Sequence, residues 1–214
     1  MQIRFHDRHF WWLIALLAWV SFLILAVSVY LHANWVIAFD HSIQQFAILV
    51  RQPGRTVFFK WLALLGTPTV NLIICLIITG WLWLRHEHFA AGWVMTAQIG
   101  INILTVIFKQ ILHRARPAAK LVTQSGYSFP SGHTTSTAIM VLIVLLIVVP
   151  LCRHFPWQLS LGLFSVIWLA LIGFDRIYLF VHYPSDVLAG LCLALGWWSI
   201  LRLTFGRAVT REQN

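Results

Sequence analysis

Six apolar runs, at 11–31, 58–84, 89–108, 134–152, 157–174 and 187–205, take up most of the chain. Each is long enough for a helix to cross a hydrocarbon core about 30 Å thick, which takes roughly 17–25 residues. In that solvent every backbone N–H and C=O must be satisfied within the protein, and a run of this length does so as a helix. The expected fold is therefore all-α: a polytopic membrane protein with six transmembrane helices. With 60% of 214 residues hydrophobic, too little polar surface is left to cover a soluble globule. The six spans leave no room for a second domain, so 1–214 reads as one unit.

The first run follows Arg4 and Arg8 but is longer than the apolar stretch of a signal peptide, about 7–15 residues, and is read as a retained helix. Tryptophans at Trp11-Trp12, Trp81/Trp83 and Trp197-Trp198 lie near span ends, where interfacial belts form. Between the first two spans, Ile37, Ile43, Phe46, Ala47 and Val50 recur at three- and four-residue intervals, a pattern for an interfacial helix. Residues 51–55, Arg-Gln-Pro-Gly-Arg, read as a turn. Gly66 and Pro68 interrupt the second run, whose straight part is expected to begin near Pro68.

A formal charge of +9 raises the question of nucleic acid, but the basic residues are scattered among spans and form no stripe or arm. Anionic lipid headgroups are the natural partners. Cys75, Cys152 and Cys192 have no paired spacing and read as small hydrophobes. If the N-terminus is inside, that side carries Arg4, Arg8, Arg85, Arg153, Arg202, Arg207 and Arg211, seven of the fifteen basic residues. Setting aside Lys109, Arg116 and Arg176 leaves five on the other side, which favours the N-terminus inside and places the long polar connections on the outer face.

Those connections hold most of the reactive side chains in a chain only 10% charged, where each intramembrane ionisable group is costly unless paired, hydrated or useful. Lys109 and Arg116 are seven residues apart, almost two helical turns, which would put both cations on one helix face. Taken alone, the cluster Lys109, His113, Arg114, Arg116 and Lys120 also reads as a headgroup anchor. Pro130-Ser131-Gly132-His133 precedes the fourth span, with Ser131 as N-cap, Gly132 allowing close backbone approach, and His133 at the mouth of an anion-binding helix end. A plain capping turn has the same pattern. Arg176, His182 and Asp186 precede or open the sixth span, with Pro184 in its first turn and Asp186 near its positive end. Asp186 can fix the tautomer of His182 and leave its other nitrogen as nucleophile or base.

The ordered pattern Lys-x6-Arg-Pro, Pro-Ser-Gly-His and Arg-x5-His-x3-Asp resembles the type 2 phosphatidic acid phosphatase (PAP2) family, integral membrane lipid phosphatases related to bacterial acid phosphatases and vanadium haloperoxidases. The resemblance covers about 40–203. It implies a lipid phosphate or diphosphate hydrolase working without metal or other cofactor. His182 would attack phosphorus, oriented by Asp186, and His133 would protonate the leaving oxygen. Lys109, Arg116 and Arg176, with amides around Ser131 and Gly132, would bind the phosphoryl oxygens. Family members usually carry Ser where this chain has Asp175, an acid that can partly neutralise or orient Arg176, so the phosphate contact the resemblance implies for that serine is not carried over.

Compact bacterial members of this kind act on undecaprenyl diphosphate, phosphatidylglycerol phosphate or phosphatidate, and no residue in the chain separates the three. Competing readings are a phosphotransferase that passes the phosphoryl group to another lipid, a non-catalytic membrane scaffold or transporter, and a metal site built from His133, His182 and Asp186. His86-Glu87-His88 reads as a solvated turn. Oligomeric state is left open.

Overall fold

The computed structural model describes residues 8–209, and among these the only regular structure is helical. In chain order the helices are α1 (Arg8–Tyr30), α2 (Asn34–Leu49), α3 (Pro53–Leu65), α4 (Pro68–Leu84), α5 (His88–Leu112), α6 (Gly132–Leu151), α7 (Phe155–Tyr178) and α8 (Pro184–Val209). Five are long and apolar enough to cross a membrane, and the count is six when α3 and α4, bent by 48°, form one span. Arg4 and Arg211, used in the sidedness count, lie outside the described residues.

The bend falls where the sequence is interrupted. Gly66 ends α3, and a Cβ there would lie 2.4 Å from Ile172 Cδ1 on α7, so a larger residue would force the Ile172 side chain to move. Thr67 then caps α4, its hydroxyl accepting from the Val70 amide at 3.3 Å, with Pro68 in the first turn. The turn expected over 51–55 is shorter than that. Pro53 already opens α3 after an extended Gln52, because the fixed φ of proline suits a first helical turn.

The interfacial helix expected between the first two spans is α2. Its inward face carries Val36, Asp40 and Ala47, with Asp40 only 3% exposed. An acid on the buried side of a short amphipathic helix demands a partner, and it finds one in the site described below.

α6 is the central element, packed against α4, α5, α7 and α8, while α1 lies along α8. Its Thr-Thr-Ser-Thr run supplies hydroxyls that stitch the spans together. Asn71 Nδ2 on α4 donates to Thr137 Oγ1 at 2.9 Å, Gln98 Nε2 on α5 to Ser136 Oγ at 2.7 Å, and Thr105 Oγ1 to Thr135 Oγ1 at 2.9 Å. Between helices in lipid, such polar contacts and small residues do what apolar burial does in water. Further along, Val144–Val148 widens into a π-helical turn just ahead of Pro150, whose missing N–H breaks the regular ladder. Leu16, Leu23, Ile77 and Leu163 on the outside are all more than half exposed, as lipid-facing side chains should be.

Candidate active site

The connections 113–131 and 179–183 and the inward face of α2 meet at one end of the bundle. Arg114 bonds Asp40 of α2, the Leu121 amide donates to the Leu179 carbonyl, and the Ser131 amide donates to the Asp186 carbonyl. The third polar cluster of the sequence thus meets the second through Ser131 and Asp186 and the first through Arg114 and Arg116, which contact Asp186 and His182.

The first cluster departs from expectation. α5 stops at Leu112, where His113 takes a left-handed conformation (φ 46°) and closes on the Lys109 carbonyl, so Arg116 is not on the helix face of Lys109. A polar chain leaving the membrane can be satisfied outside a helix, and the loop doubles back instead. Lys109 Nζ donates to the carbonyls of Tyr127 (2.7 Å) and Ser128 (3.2 Å), and Arg116 Nε to those of Ser125 (3.3 Å) and Gly126 (3.0 Å). The loop thus brings the two cations to the same end of the bundle.

At the second cluster Ser131 caps α6 as expected, its hydroxyl accepting from the Thr134 amide at 3.4 Å and the Thr134 hydroxyl at 2.9 Å. Its own amide is engaged by the Asp186 carbonyl at 3.0 Å, so it is not among the free donors of this helix end. Gly132 faces Lys109, with an added Cβ 3.9 Å from Lys109 Cε. Gly190 of α8 packs so tightly here that a Cβ would meet the Ser131 carbonyl at 3.2 Å. His133 is buried and sits near the backbone of Ala63, one turn before the bend between α3 and α4.

The third cluster surrounds His182, which is 2% exposed. α7 ends at Tyr178, Phe180 turns the chain through a left-handed conformation (φ 55°), and the amides of Val181 and His182 both donate to the Arg176 carbonyl. Pro184 opens α8, and Asp186 Oδ2 in its first turn accepts from the Tyr183 amide at 2.9 Å and lies 3.4 Å from His182 Nδ1. Arg116 Nη1 sits 3.0 Å from His182 Nε2 and 2.7 Å from the Val181 carbonyl. A guanidinium has no acceptor, so Nε2 must offer its lone pair and the ring proton belongs on Nδ1, toward Asp186. Burial pushes the His182 pKa down to about 4, outweighing the upward pull of Asp186, and the charges of Lys109 and Arg116 push the same way. The imidazole is neutral at ordinary pH.

Two residues at the heart of this arrangement were not picked out from the sequence. Arg114, read there only as a headgroup anchor, sends Nη1 to Asp186 Oδ1 (2.6 Å) and Ser185 Oγ (2.8 Å) and Nη2 to Asp40 Oδ2 (2.6 Å), with its guanidinium carbon 3.9 Å above the Tyr183 ring. Asp40 also accepts from the Ser185 amide and hydroxyl, each at 2.8 Å. Burial works against the Arg114 charge, but Asp186 and Asp40 outweigh it and hold its pKa above the usual value. Asp40 carried a signal: an acid three residues before Ile43 and seven before Ala47 sits on the apolar stripe of α2.

Arg176, 1% exposed, is paired with its neighbour Asp175, Nε donating to Oδ2 at 2.7 Å and Nη2 to the same oxygen. Asp175 Oδ1 is buried without a hydrogen-bond partner. Among the described residues no three His, Cys, Asp or Glu side chains are grouped as metal ligands, His133, His182 and Asp186 included.

Residues 88–209 match the family described as the PAP2 superfamily. Phosphatidylglycerophosphatase B of Bacillus subtilis (strain 168) is 31% identical over 180 residues, 81% of this chain and 86% of that protein. Decaprenylphosphoryl-5-phosphoribose phosphatase of Mycobacterium tuberculosis is 30% identical over 154 residues, 68% of this chain and 77% of that one. Among solved structures, the transmembrane PAP2 type phosphatidylglycerolphosphate phosphatase from Bacillus subtilis superposes with a TM-score of 0.79 at 27% identity, over 92% of this chain and 98% of that one.

Proposed function

The chain belongs to the PAP2 superfamily and is a multi-pass membrane phosphatase; from that premise we propose that it hydrolyses a lipid phosphate or diphosphate through a phosphohistidine formed on His182. The observation that carries the reading is the state of that imidazole. Nδ1 faces a buried carboxylate, and Nε2 keeps its lone pair beside the Arg116 guanidinium.

In this reading the incoming phosphoryl oxygens draw Arg116 off Nε2, which then attacks phosphorus in line with the leaving oxygen. The P–O bond to the lipid breaks as His133 gives its proton to that oxygen. Water next attacks the phosphohistidine, returns a proton to His133 and releases inorganic phosphate. Lys109, Arg116 and Arg176, with the amides of Gly132 and His133 at the α6 N-terminus, gather the charge on the equatorial oxygens. Ser131 holds that helix end in shape and contributes no amide of its own. In this reading these cations do the work, with no metal or other cofactor. Asp186 keeps the Nδ1 proton in place and stabilises the ring as it gains charge.

The substrate is a lipid headgroup reached from the membrane edge, with phosphatidylglycerol phosphate, phosphatidate and undecaprenyl diphosphate as the candidates. The relatives' names include a phosphatidylglycerophosphatase. The site faces the outer side, and one catalytic domain accounts for the chain. Purified protein in detergent, given each of the three lipids without an acceptor, releases inorganic phosphate; turnover only on adding a lipid alcohol, with the phosphoryl group recovered on that alcohol and none as inorganic phosphate, would favour the phosphotransferase. His182→Ala abolishes release and the acid-labile phosphoprotein trapped by rapid quenching, and His133→Ala loses at least about two decades of rate. Near wild-type turnover in either variant removes that residue from the mechanism.

A further inference from the structure

Arg176 enters the site already engaged. Its side chain is almost wholly buried, its Nε and Nη2 both donate to one oxygen of Asp175, and the other oxygen of that carboxylate has no hydrogen-bond partner. Adjacent residues of a helix normally point to different sides, so Arg176 has folded back on its neighbour. The Arg176 charge acts on both His133 and Arg116, so the cation that Asp175 holds lies within electrostatic reach of the catalytic groups.

We infer that Asp175 is a specificity-determining residue: it lowers the positive charge of the site by one unit, matching the site to a phosphomonoester headgroup and against a diphosphate. The inference rests on the phosphatase reading above. The physical reason is the dependence of Coulomb energy on ligand charge. A monoester phosphoryl group brings about two negative charges into the site, and a diphosphate brings about one more at close range. Every unit of ligand charge is repelled by the Asp175 carboxylate, so the diphosphate bears the larger penalty. Lys109 and Arg116 attract both ligands, but neither is held by a carboxylate, their fixed contacts being carbonyls and His182. Asp186 and Asp40 are themselves answered by Arg114. Asp175 is thus the carboxylate that changes the balance felt by the cations assigned to phosphate.

The test uses full-length protein in detergent micelles, with dioctanoyl phosphatidate as the monoester probe and farnesyl diphosphate as the diphosphate probe. The wild type has the higher kcat/KM on dioctanoyl phosphatidate. Asp175→Asn keeps the size of the side chain and removes its charge, and it moves the ratio toward farnesyl diphosphate by about tenfold. A role confined to holding Arg176 in place would change both substrates alike and leave the ratio where it was, which overturns the inference. So does a wild type that prefers the diphosphate, a measurement needing no variant and decisive even if Asp175→Asn fails to fold. His182→Ala run alongside separates the two readings. If it still turns over, the site assignment fails, whereas a dead His182→Ala with an unmoved ratio rejects only the role of Asp175.

Discussion

Replacing Arg114 by glutamine is the most direct test of how this site is held. Its guanidinium lies 2.6 Å from both Asp186 Oδ1 and Asp40 Oδ2, with side-chain exposures of 15%, 0% and 4% for Arg114, Asp186 and Asp40. An exposed ion pair is worth about 0–1 kcal/mol. Removing one member of a buried pair costs about 3–5 kcal/mol, because the charge left behind cannot be hydrated, and here two carboxylates would be stranded. Arg114→Gln should therefore lose at least about 3 kcal/mol, read from denaturant unfolding of the purified protein by tryptophan fluorescence. Asp40→Asn keeps an acceptor for the Ser185 amide and should cost only about 1–2 kcal/mol. In the double variant one of the stranded charges is gone, so its loss should fall short of the sum by about 1–3 kcal/mol. Activity should follow, since Asp186 spends Oδ1 on Arg114 and Oδ2 on His182. A carboxylate that drifts misplaces the nucleophile, and kcat should drop by about two decades. A loss below about 1 kcal/mol with kcat intact would refute the reasoning, as would strictly additive variants.

Asp186→Asn should fold and lose about three to four decades of kcat, since the amide no longer favours the Nδ1 proton and the imidazolium; activity within tenfold of wild type would contradict that role. Because burial holds His182 down at about 4, acid protonates the nucleophile only as pH falls through that value. The single-turnover rate, corrected for the ionisation of the substrate phosphate near about 6, should decline there, and an inflection at an ordinary histidine value would show the ring to be unshielded. The same depression means this group favours the folded state above an ordinary histidine value of about 6.5 and withdraws that contribution as pH falls from there to about 4, which denaturant titrations at both ends would reveal. Gly190→Ala puts a methyl 3.2 Å from the Ser131 carbonyl and the Thr134 Cβ, so α6 and α8 must part; the expected cost is about 1–3 kcal/mol together with reduced kcat. Excess chelator should leave phosphate release unchanged.

The spans were legible because the bilayer imposes one rule on every backbone group, and a long apolar run has few ways to obey it. Gly66 and Pro68 announced the broken second span, and Ser131 and Pro184 announced the starts of α6 and α8, since caps and first-turn prolines are local chemistry. The Lys109–Arg116 relation was misread because helical spacing was carried past Leu112, where a left-handed histidine, rare for a residue with a Cβ, ends the helix. Arg114 was invisible for a different reason. Its partners are 74 residues back and 72 residues forward, and nothing local separates an arginine that snorkels from one that is clamped.

The charges at this end of the bundle are all engaged at rest. Asp40 and Asp186 share Arg114, Asp175 holds Arg176, Lys109 is tied to two carbonyls, and Arg116 spans carbonyls and the lone pair of His182. A cup of bare cations at a membrane edge would be costly to fold and would fill with any anionic headgroup. With every cation pre-engaged, a phosphoryl group gains a place only by displacing weaker acceptors, carbonyl oxygens and an imidazole nitrogen, that a group of higher charge can outbid. The Arg114 clamp stays closed during that exchange because its partners are carboxylates. The site is thus divided into a fixed half that holds Asp186 and a yielding half that meets the substrate, and the division follows from which cation was given a carboxylate and which a neutral acceptor. Arg176 crosses that line, a cation of the yielding half with a carboxylate partner, and it is there that a single substitution should alter which phosphate the protein prefers.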